Sequence, residues 1–339
     1  MKKQGLLSLI SLVCLAAASP AQAQDKVVIK FATRAPVGST WEIQLKKAAQ
    51  EWKRISGDKV ELRIFAGGTM GDEGEMIKKM KIGQLQAVGV STVGLHVIAP
   101  DPQAIDLPML VRNREEYRCV LSKTAPAFEK ILEQKGVVVL AWGEIGFTRF
   151  FSTDKRETLS AMQDSRLFVW EGDPASVKAW EKAGFKHPVV LSSSDLVPSL
   201  QTSKIDALCY PPVLVLAGNM YSKAKYMLDM DYSSLTGVTV VDKATWEKIP
   251  ADLRPQLLGV FRAASERIDT EVNTMATEAL KKLVANGVTT VPVSEAERKT
   301  WQQAMEAVYS TVRGTVVPAQ AFDDVQKAVK ECRAAKAAK

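Results

Sequence analysis

Apolar and polar positions alternate in short runs along the first part of the chain, and each run predicts one strand or one helix. Val27 to Ala32, Val60 to Phe65 and Leu85 to Val90 are apolar runs rich in β-branched residues, which predicts strands. Residues 41–55 and 73–82 lie between these runs and carry apolar residues at helical spacing. Strands that alternate with helices predict an α/β sheet covered by helices.

The same alternation returns further along the chain. Strands are predicted at residues 137–142, 166–170, 189–191 and 205–209, with helices at 174–183 and 195–201. Two similar α/β stretches predict two domains, and a ligand site between them is the usual arrangement.

The last third of the chain is mostly helical. Residues 251–286 form one nearly uninterrupted helical pattern that breaks at Asn286-Gly287, and residues 288–293 predict a last strand before further helices. Near the N-terminus, the glycine-rich segment from Gly67 to Asp72 is a weak match to a phosphate-binding loop. A turn from strand to helix is the better interpretation of that segment.

The N-terminus predicts export. Lys2 and Lys3 precede an apolar run from Leu6 to Ala18, and Ala21-Gln22-Ala23 is a small-residue cleavage pattern. The alternative is a membrane helix, but the apolar run is shorter than the ~20 residues that span a bilayer. We therefore predict that residues 1–23 are a cleaved signal peptide and that the mature chain enters the periplasm without inserting into the membrane.

Composition and charge exclude several classes of protein. Apolar residues make up 46% of the chain and charged residues 24%, which is ordinary for a globular protein. The formal charge of +7 falls to +5 when Lys2 and Lys3 leave with the signal peptide. Because the basic residues are scattered among acidic ones, no nucleic-acid partner is predicted. The mild positive charge favours anionic ligands.

Cleavage after Ala23 would leave an odd number of cysteines. Cys119 and Cys332 lie in polar, helix-like stretches, whereas Cys209 lies in an apolar run. In an oxidising compartment this pattern favours a Cys119–Cys332 disulfide and a buried Cys209, with three unpaired thiols as the alternative.

No catalytic motif is present in the sequence. His96 and His187 stand in loops without metal-binding spacing, and G-x-S-x-G, the P-loop and the G-x-G-x-x-G fingerprint are all absent. The sequence therefore predicts a binding protein without cofactor or metal. An enzyme on the same fold would need a reactive group, for which Cys209 is the one candidate.

Several segments together resemble the DctP-like solute-binding proteins of tripartite ATP-independent periplasmic (TRAP) transporters. They are Gly68-Thr69-Met70-Gly71-Asp72-Glu73, Lys81-Ile82-Gly83-Gln84-Leu85, Ile105-Asp106-Leu107-Pro108, Leu200-Gln201-Thr202-Ser203-Lys204-Ile205-Asp206 and Trp246-Glu247-Lys248-Ile249-Pro250-Ala251-Asp252-Leu253-Arg254. These segments are similar to that family's G-x-L-G-D-E, K-x-G-x-L-D, F-D-L-P-Y-L-F, L-Q-T-G-x-V-D-G and W-x-x-L-P-x-D-x-R patterns. The matches fall in order from about residue 28 to 260.

The resemblance implies a two-domain periplasmic-binding-protein-like fold with hinge strands and a long helix that crosses both domains. It places residues 24–146 and about 235–275 in domain I, and residues 147–234 and about 276–339 in domain II. The implied ligand is a small organic acid clamped between the domains, and the implied partner of the monomeric protein is a TRAP membrane permease. A sensory subunit that presents the ligand to a receptor would have the same site and is the alternative.

The family's ligand-binding arginine is missing from its usual strand. Alignment of Ser165-Arg166-Leu167-Phe168-Val169-Trp170 with the family's K-I-R-V strand puts Phe168 at the arginine position. Arg166 could replace it if the register slipped, but a surface position is the preferred interpretation. Because strand residues two apart share a face, Trp170 would accompany Phe168 into the cleft and Val169 would enter the core. The alternative is that both aromatic side chains face the core.

Two other arginines match family positions near the ligand. Arg149, in Gly146-Phe147-Thr148-Arg149, matches a second family arginine in the cleft, and a hinge salt bridge is the alternative. Arg34 matches a loop position that contacts ligands in sialic-acid-binding relatives, against the alternative of a solvated loop residue. Ser91 and Thr92 end the third predicted strand, where hydroxyl groups would reach the ligand or cap the next segment.

Tyr210 stands where the family often has an asparagine, and Pro211 follows it. With Phe168 and Trp170, this pair predicts an aromatic wall and hence a ligand that is anionic but partly apolar or aromatic. The Glu-Trp pair that metal-assisted relatives carry near this position is absent, which implies a site without metal.

Overall fold

The structure is a computed structural model that describes residues 26–171 and 174–338. The predicted signal peptide, residues 1–23, lies outside the described residues. The strands of the described part are β1 (Val27–Thr33), β2 (Val60–Phe65), β3 (Ala87–Ser91), β4 (Val137–Ser152), β5 (Arg166–Trp170), β6 (His187–Leu191), β7 (Ala207–Tyr210), β8 (Tyr226–Leu228), β9 (Ser233–Asp242) and β10 (Thr289–Val291). The predicted strand positions are confirmed to within a few residues, except that β4 extends ten residues beyond its prediction.

Helices alternate with these strands, as the hydrophobic pattern predicts, but strands β8 and β9 and the helix at Arg114–Gln134 were not predicted. The helices are α1 (Thr40–Ile55), α2 (Glu73–Lys81), α3 (Thr92–Leu95), α4 (Arg114–Gln134), α5 (Leu159–Gln163), α6 (Pro174–Lys182), α7 (Leu196–Gln201), α8 (Pro212–Ala217), α9 (Lys243–Glu247), α10 (Arg254–Ala285), α11 (Glu295–Val312) and α12 (Ala319–Ala337). Short 3₁₀ turns lie at Asp101–Asp106 and Met220–Ser222. None of the described helices is long and apolar enough to cross a membrane.

The strands join in the order β2-β1-β3-β9-β4-β7-β5-β6, and β8 pairs with both β4 and β10. β1 runs parallel to β2 and β3, and β5 runs parallel to β6 and β7. Parallel neighbours need crossover connections, and the intervening helices supply them. The predicted domain limits place β1 to β3 and α1 in domain I, and β5 to β7 in domain II.

β4 is the strand that carries the chain from one domain to the other. It pairs antiparallel with β9 from Val137 to Thr148, and then with β7 from Arg149 to Ser152. The register with β9 shifts between Glu144 and Gly146, which marks a bulge at the crossing point. β4 and β9 are therefore hinge strands, and the predicted two-domain α/β fold is confirmed.

The long helix predicted at residues 251–286 is present as α10. It packs against α1 and β4 at one end and against α8 at the other, so that it contacts both domains. The Trp52 indole on α1 donates a hydrogen bond of 2.9 Å to the Leu257 carbonyl near the start of α10. At the other end, Leu283 is fully buried with Phe151 and Leu208 in the core of domain II. Gly287 follows the helix with a φ of +89°, a left-handed conformation suited to glycine.

The limits of the two domains remain a prediction. The described residues do show how the two regions are joined outside the sheet. α4 packs against α12, and the two helices are linked by a disulfide between Cys119 and Cys332, with Cα atoms 6.0 Å apart. This is the cysteine pair that the sequence favours. Cys209 keeps a free thiol whose pKa burial raises to about 12, so it is not poised as a nucleophile.

Candidate ligand-binding site

A cavity of about 640 Å³ lies between the domains, where the carboxyl ends of β1, β3, β5 and β7 meet. Ligands of α/β folds bind at such strand ends. Most of the predicted ligand residues line this cavity, namely Arg34, Ser91, Phe168, Trp170, Tyr210 and Pro211. Residues far apart in sequence and from both domains therefore share one site.

Two of the predicted ligand residues do not line the cavity. Arg149 directs its guanidinium group to the other side of β4, where Nε and Nη1 lie 2.8 Å from Asp231 and Asp229 respectively. The position of Arg149 was thus predicted wrongly, because alternate residues of a strand face opposite sides and Thr148 takes the cavity side. Thr92 is fully buried and its hydroxyl donates to Asp106, so it stabilises the position of a cavity residue without lining the cavity itself.

Three aromatic residues, Phe168, Trp170 and Tyr210, line the cavity, and the Phe168 ring meets the Tyr210 ring edge-to-face at 6.0 Å. Phe168 is also part of a buried core cluster, so its contact with a ligand stays a prediction. Val169 also borders the cavity, although alternation predicts it in the core. Arg166 does not replace the missing arginine, because it is on the surface and pairs with Asp206 at 3.1 Å.

Arg34 is the one cationic side chain among the described residues that line the cavity. Its Nη1 donates to an Asp72 carboxylate oxygen at 2.8 Å and to the Ser193 hydroxyl. Among the described residues, both of the hydrogen bonds found for its guanidinium group come from Nη1. The Nε–Nη2 edge of a guanidinium group matches the two oxygens of a carboxylate. Arg34 therefore has one edge fixed by the protein and one edge open to a ligand.

Glu73 is a cavity residue that sequence reasoning missed. Its two carboxylate oxygens accept hydrogen bonds from Ser91, from the amide at 3.1 Å and from the hydroxyl at 2.6 Å. Burial raises the pKa of Glu73, and these hydrogen bonds together with the Arg34 charge oppose the rise. Glu73 lies in the segment that resembles the family's G-x-L-G-D-E pattern, and this position is the sequence feature that could have indicated its role in the site. Ser91 therefore serves the site at least partly by holding Glu73.

Asp106 was missed in the same way, within the Ile105-Asp106-Leu107-Pro108 segment. Its carboxylate accepts hydrogen bonds from the Ser234 hydroxyl at 2.6 Å and from the Thr236 amide and hydroxyl at 2.9 and 2.8 Å, in addition to Thr92. Ser234 and Thr236 lie on hinge strand β9, so Asp106 ties the loop before α4 to the hinge.

Replacement of Asp106 should destabilise the hinge. In Asp106→Asn an NH2 group replaces one of the two acceptor oxygens. Either the hydroxyls of Ser234 and Thr236 or the Thr92 hydroxyl and the Thr236 amide then lose that acceptor. We expect a loss of about 2 kcal/mol in the free energy of unfolding at pH 7, measured by urea denaturation. An unchanged denaturation midpoint would contradict this role.

The pH dependence of stability provides a second measurement. Burial raises the pKa of Asp106 from 3.8 to about 6, against the opposing effect of its hydrogen bonds. Because the unfolded chain then loses this proton at a lower pH than the folded chain, stability should fall as pH rises from about 4 to about 6. This contribution to the slope should be missing in Asp106→Asn.

Glu144 is the third acidic residue on the cavity and was also not predicted. It lies at the β4 bulge, and its carboxylate oxygen is 2.9 Å from Nε of Arg114 on α4. Its backbone amide donates to Asp269 on α10 at 3.2 Å. These contacts attach the crossing point of the hinge strand to two helices. Within the described residues, no group of three or more His, Cys, Asp or Glu side chains is arranged to hold a metal ion.

Comparison with known proteins assigns the fold and site to a class. The sequence model of the DctP family, described as bacterial extracellular solute-binding protein family 7, matches residues 31–314. The chain therefore belongs to the DctP family of bacterial extracellular solute-binding proteins.

Individual relatives agree with this assignment. The C4-dicarboxylate-binding periplasmic protein DctP of Rhodobacter capsulatus is 23% identical over 305 residues, which cover 87% of this chain and 89% of that protein. A TRAP periplasmic solute-binding protein from Desulfovibrio salexigens, solved with bound orotic acid, is 18% identical with a TM-score of 0.83 and covers 91% of this chain and 99% of its own. Another from Pseudomonas putida F1, solved with bound D-glucuronate, is 22% identical with a TM-score of 0.81, covering 89% and 96%. The structural likeness confirms the predicted fold.

Proposed function

We propose that this protein captures a small organic acid with an apolar or aromatic portion in the periplasm and delivers it to a TRAP-type membrane permease. The observation that carries the ligand class is the composition of the cavity wall. Arg34, with an open guanidinium edge, lines the same cavity as Phe168, Trp170 and Tyr210. The acidic residues on this cavity, Glu73, Asp106 and Glu144, are held by donors of the protein. One cation with an open edge beside aromatic side chains therefore favours a ligand with a carboxylate and an apolar body.

The energetics of such a site are sufficient for capture. A micromolar dissociation constant needs roughly 8 kcal/mol of net binding free energy. A charge-assisted pair to Arg34 would supply part of this, and burial of the ligand body against the aromatic wall would supply the rest. The absence of an arginine at position 168 removes the usual family anchor, so Arg34 takes over the anion contact in this proposal.

The mechanism that we propose is a population shift between open and closed forms. A ligand that touches residues of both domains gains its full contacts only when the cleft is closed, and therefore favours the closed form. Hinge strands β4 and β9 would bend at the bulge between Glu144 and Gly146. The permease would then recognise the closed form.

The names of relatives support a carboxylate ligand without identifying it. The Rhodobacter capsulatus relative is named for C4-dicarboxylates, and the two solved structures described above hold orotic acid and D-glucuronate. All three are acids, and orotic acid has a ring. We also propose export through cleavage after residue 23, a monomeric state, and the domain limits given from the sequence.

A ligand screen tests this proposal. Purified mature protein is heated with organic acids, aromatic acids and sugar acids, and its melting temperature is recorded. A ligand at 100 times its dissociation constant adds about 2.7 kcal/mol to the folded state, which should raise the melting temperature by several degrees. We expect a shift with an aromatic or branched acid and none with succinate or malate. A shift with succinate alone would disprove the apolar preference, and a shift with only neutral ligands would disprove the carboxylate class.

A further inference from the structure

Asp72 connects the two domains across the mouth of the cavity. It begins α2 in domain I, and one carboxylate oxygen accepts from Arg34 Nη1 at 2.8 Å. The other oxygen accepts from the Trp170 indole at 2.8 Å and from the Ser193 amide at 3.1 Å, both in domain II. A single carboxylate therefore bonds to the anion-binding arginine and to two donors on the opposite side of the cleft.

The glycine-rich segment before α2 holds Asp72 in this position. Gly68 and Gly71 have φ angles of +72° and +98°, which non-glycine residues rarely adopt. A Cβ atom on Gly71 would collide with the Glu75 side chain, whose Oε2 accepts from the Asp72 amide at 3.2 Å. Asp72 in turn caps the helix by accepting from the Glu73 amide at 3.1 Å. The glycine-rich segment, which is only a weak match to a phosphate-binding loop, thus fixes the orientation of the Asp72 carboxylate.

The surroundings of Asp72 stabilise its charged form. Burial alone would raise its pKa, but the Trp170 indole, the Arg34 charge and the Ser193 amide outweigh burial and hold the pKa below the usual value. The carboxylate is thus ionised at neutral pH, and each of its hydrogen bonds is charge-assisted.

We propose that Asp72 is a positioning residue that orients the Arg34 guanidinium group for the ligand and latches domain I onto Trp170 and Ser193 of domain II. Its bond to Arg34 Nη1 leaves the Nε–Nη2 edge free and fixed in direction. Its bonds to Trp170 and Ser193 exist only while the cleft is closed, so they raise the closed population before ligand arrives. The apparent dissociation constant falls in proportion to that population.

The latch is tested first without any ligand. Spin labels on the exposed positions Lys47 of α1 and Lys204 of domain II, introduced as Lys47→Cys and Lys204→Cys, report the distance between the domains by pulsed electron paramagnetic resonance. We expect Trp170→Phe, which keeps a ring but removes the indole donor, to broaden and lengthen the distance distribution. Asp72→Asn should do the same, and the double variant should add little, because both changes act on the same hydrogen bond between Trp170 and Asp72.

Asp242→Asn is the matched control. Asp242 also begins a helix, but it accepts from Thr245 at 2.8 Å inside domain I and does not cross the cleft. Its distance distribution should equal that of the parent. If Asp72→Asn and Trp170→Phe also keep the parental distribution while their circular dichroism confirms folding, the latch does not exist.

Ligand affinity provides the second readout, which rests on the proposed function. With an acid identified in the screen, Asp72→Asn should raise the dissociation constant about tenfold, since it loses a charge-assisted bond to Arg34 and the latch together. Trp170→Phe should raise it less, because Arg34 stays oriented. If the parent binds no acid, the ligand class fails while the distance measurement still decides the latch. If the parent binds and both variants bind equally well, the positioning role of Asp72 is disproved.

Discussion

Arg34→Ala is expected to weaken binding of the organic acid about 100-fold, because truncation removes the cation and leaves a carboxylate in a largely apolar enclosure. No other cation of the described lining can take its place. Isothermal titration of the parent and the variant with the same acid measures this effect. The melting temperature of the ligand-free variant shows whether the protein is still folded.

Two further arginine variants make the result specific. Arg34→Lys keeps the charge but loses the planar fork, and we expect it to recover only part of the affinity. In Arg149→Ala the lost contacts are those to Asp229 and Asp231 outside the cavity. This variant should be less stable, yet its folded form should bind with the parental dissociation constant. Loss of binding in Arg149→Ala and retention in Arg34→Ala would reverse our assignment and restore the position predicted from the family pattern.

Much of the order of strands and helices was accessible from sequence because local hydrophobic pattern decides it, but strand β9 and helix α4 were not predicted. The helix at 254–285 and strands β1 to β3 were predicted within a few residues. The length of β4 was not, because Gly143, Glu144 and Gly146 interrupt the apolar run that marks its first half. Those residues form the bulge at the hinge, and their strand conformation depends on pairing with β9 rather than on local preference.

The site was predictable where the family pattern and strand alternation agree. Phe168 and Trp170 were placed on one face of a strand, and that prediction needed only the period of two. Arg149 was misplaced because its family match outweighed its alternation with Thr148. The segments that resemble the family's patterns contain Asp72, Glu73 and Asp106. The roles of these residues depend on partners up to 130 residues away in sequence. No local pattern identifies such partners.

The aromatic wall and the latch depend on the same departures from the family pattern. Trp170 lines the cavity with its ring and donates its indole N–H to Asp72, so one residue contributes to both. Arg34 bonds to Asp72 with one edge, and in our proposal its other edge binds the ligand. On that proposal, the anion contact moves from position 168 to Arg34, and Asp72 supports it.

Loss of the Cys119–Cys332 disulfide should produce the largest change in stability. The bond joins positions 213 residues apart, and closure of so long a loop strongly restricts the unfolded chain. We expect Cys119→Ser with Cys332→Ser to lower the free energy of unfolding by about 4 kcal/mol, within the usual range for such bonds. Urea denaturation of the double variant and of the parent measures the difference.

Reduction of the parent is the control for side-chain effects. With reductant present, the parent should unfold near the midpoint of the double variant, while the variant itself should not respond. Cys209 is half-buried and unpaired in both proteins, so it contributes equally to the two measurements. The residues that line the cavity should be unchanged, because neither cysteine is among them. Equal stability of reduced and oxidised parent would mean that this bond is not formed in the protein.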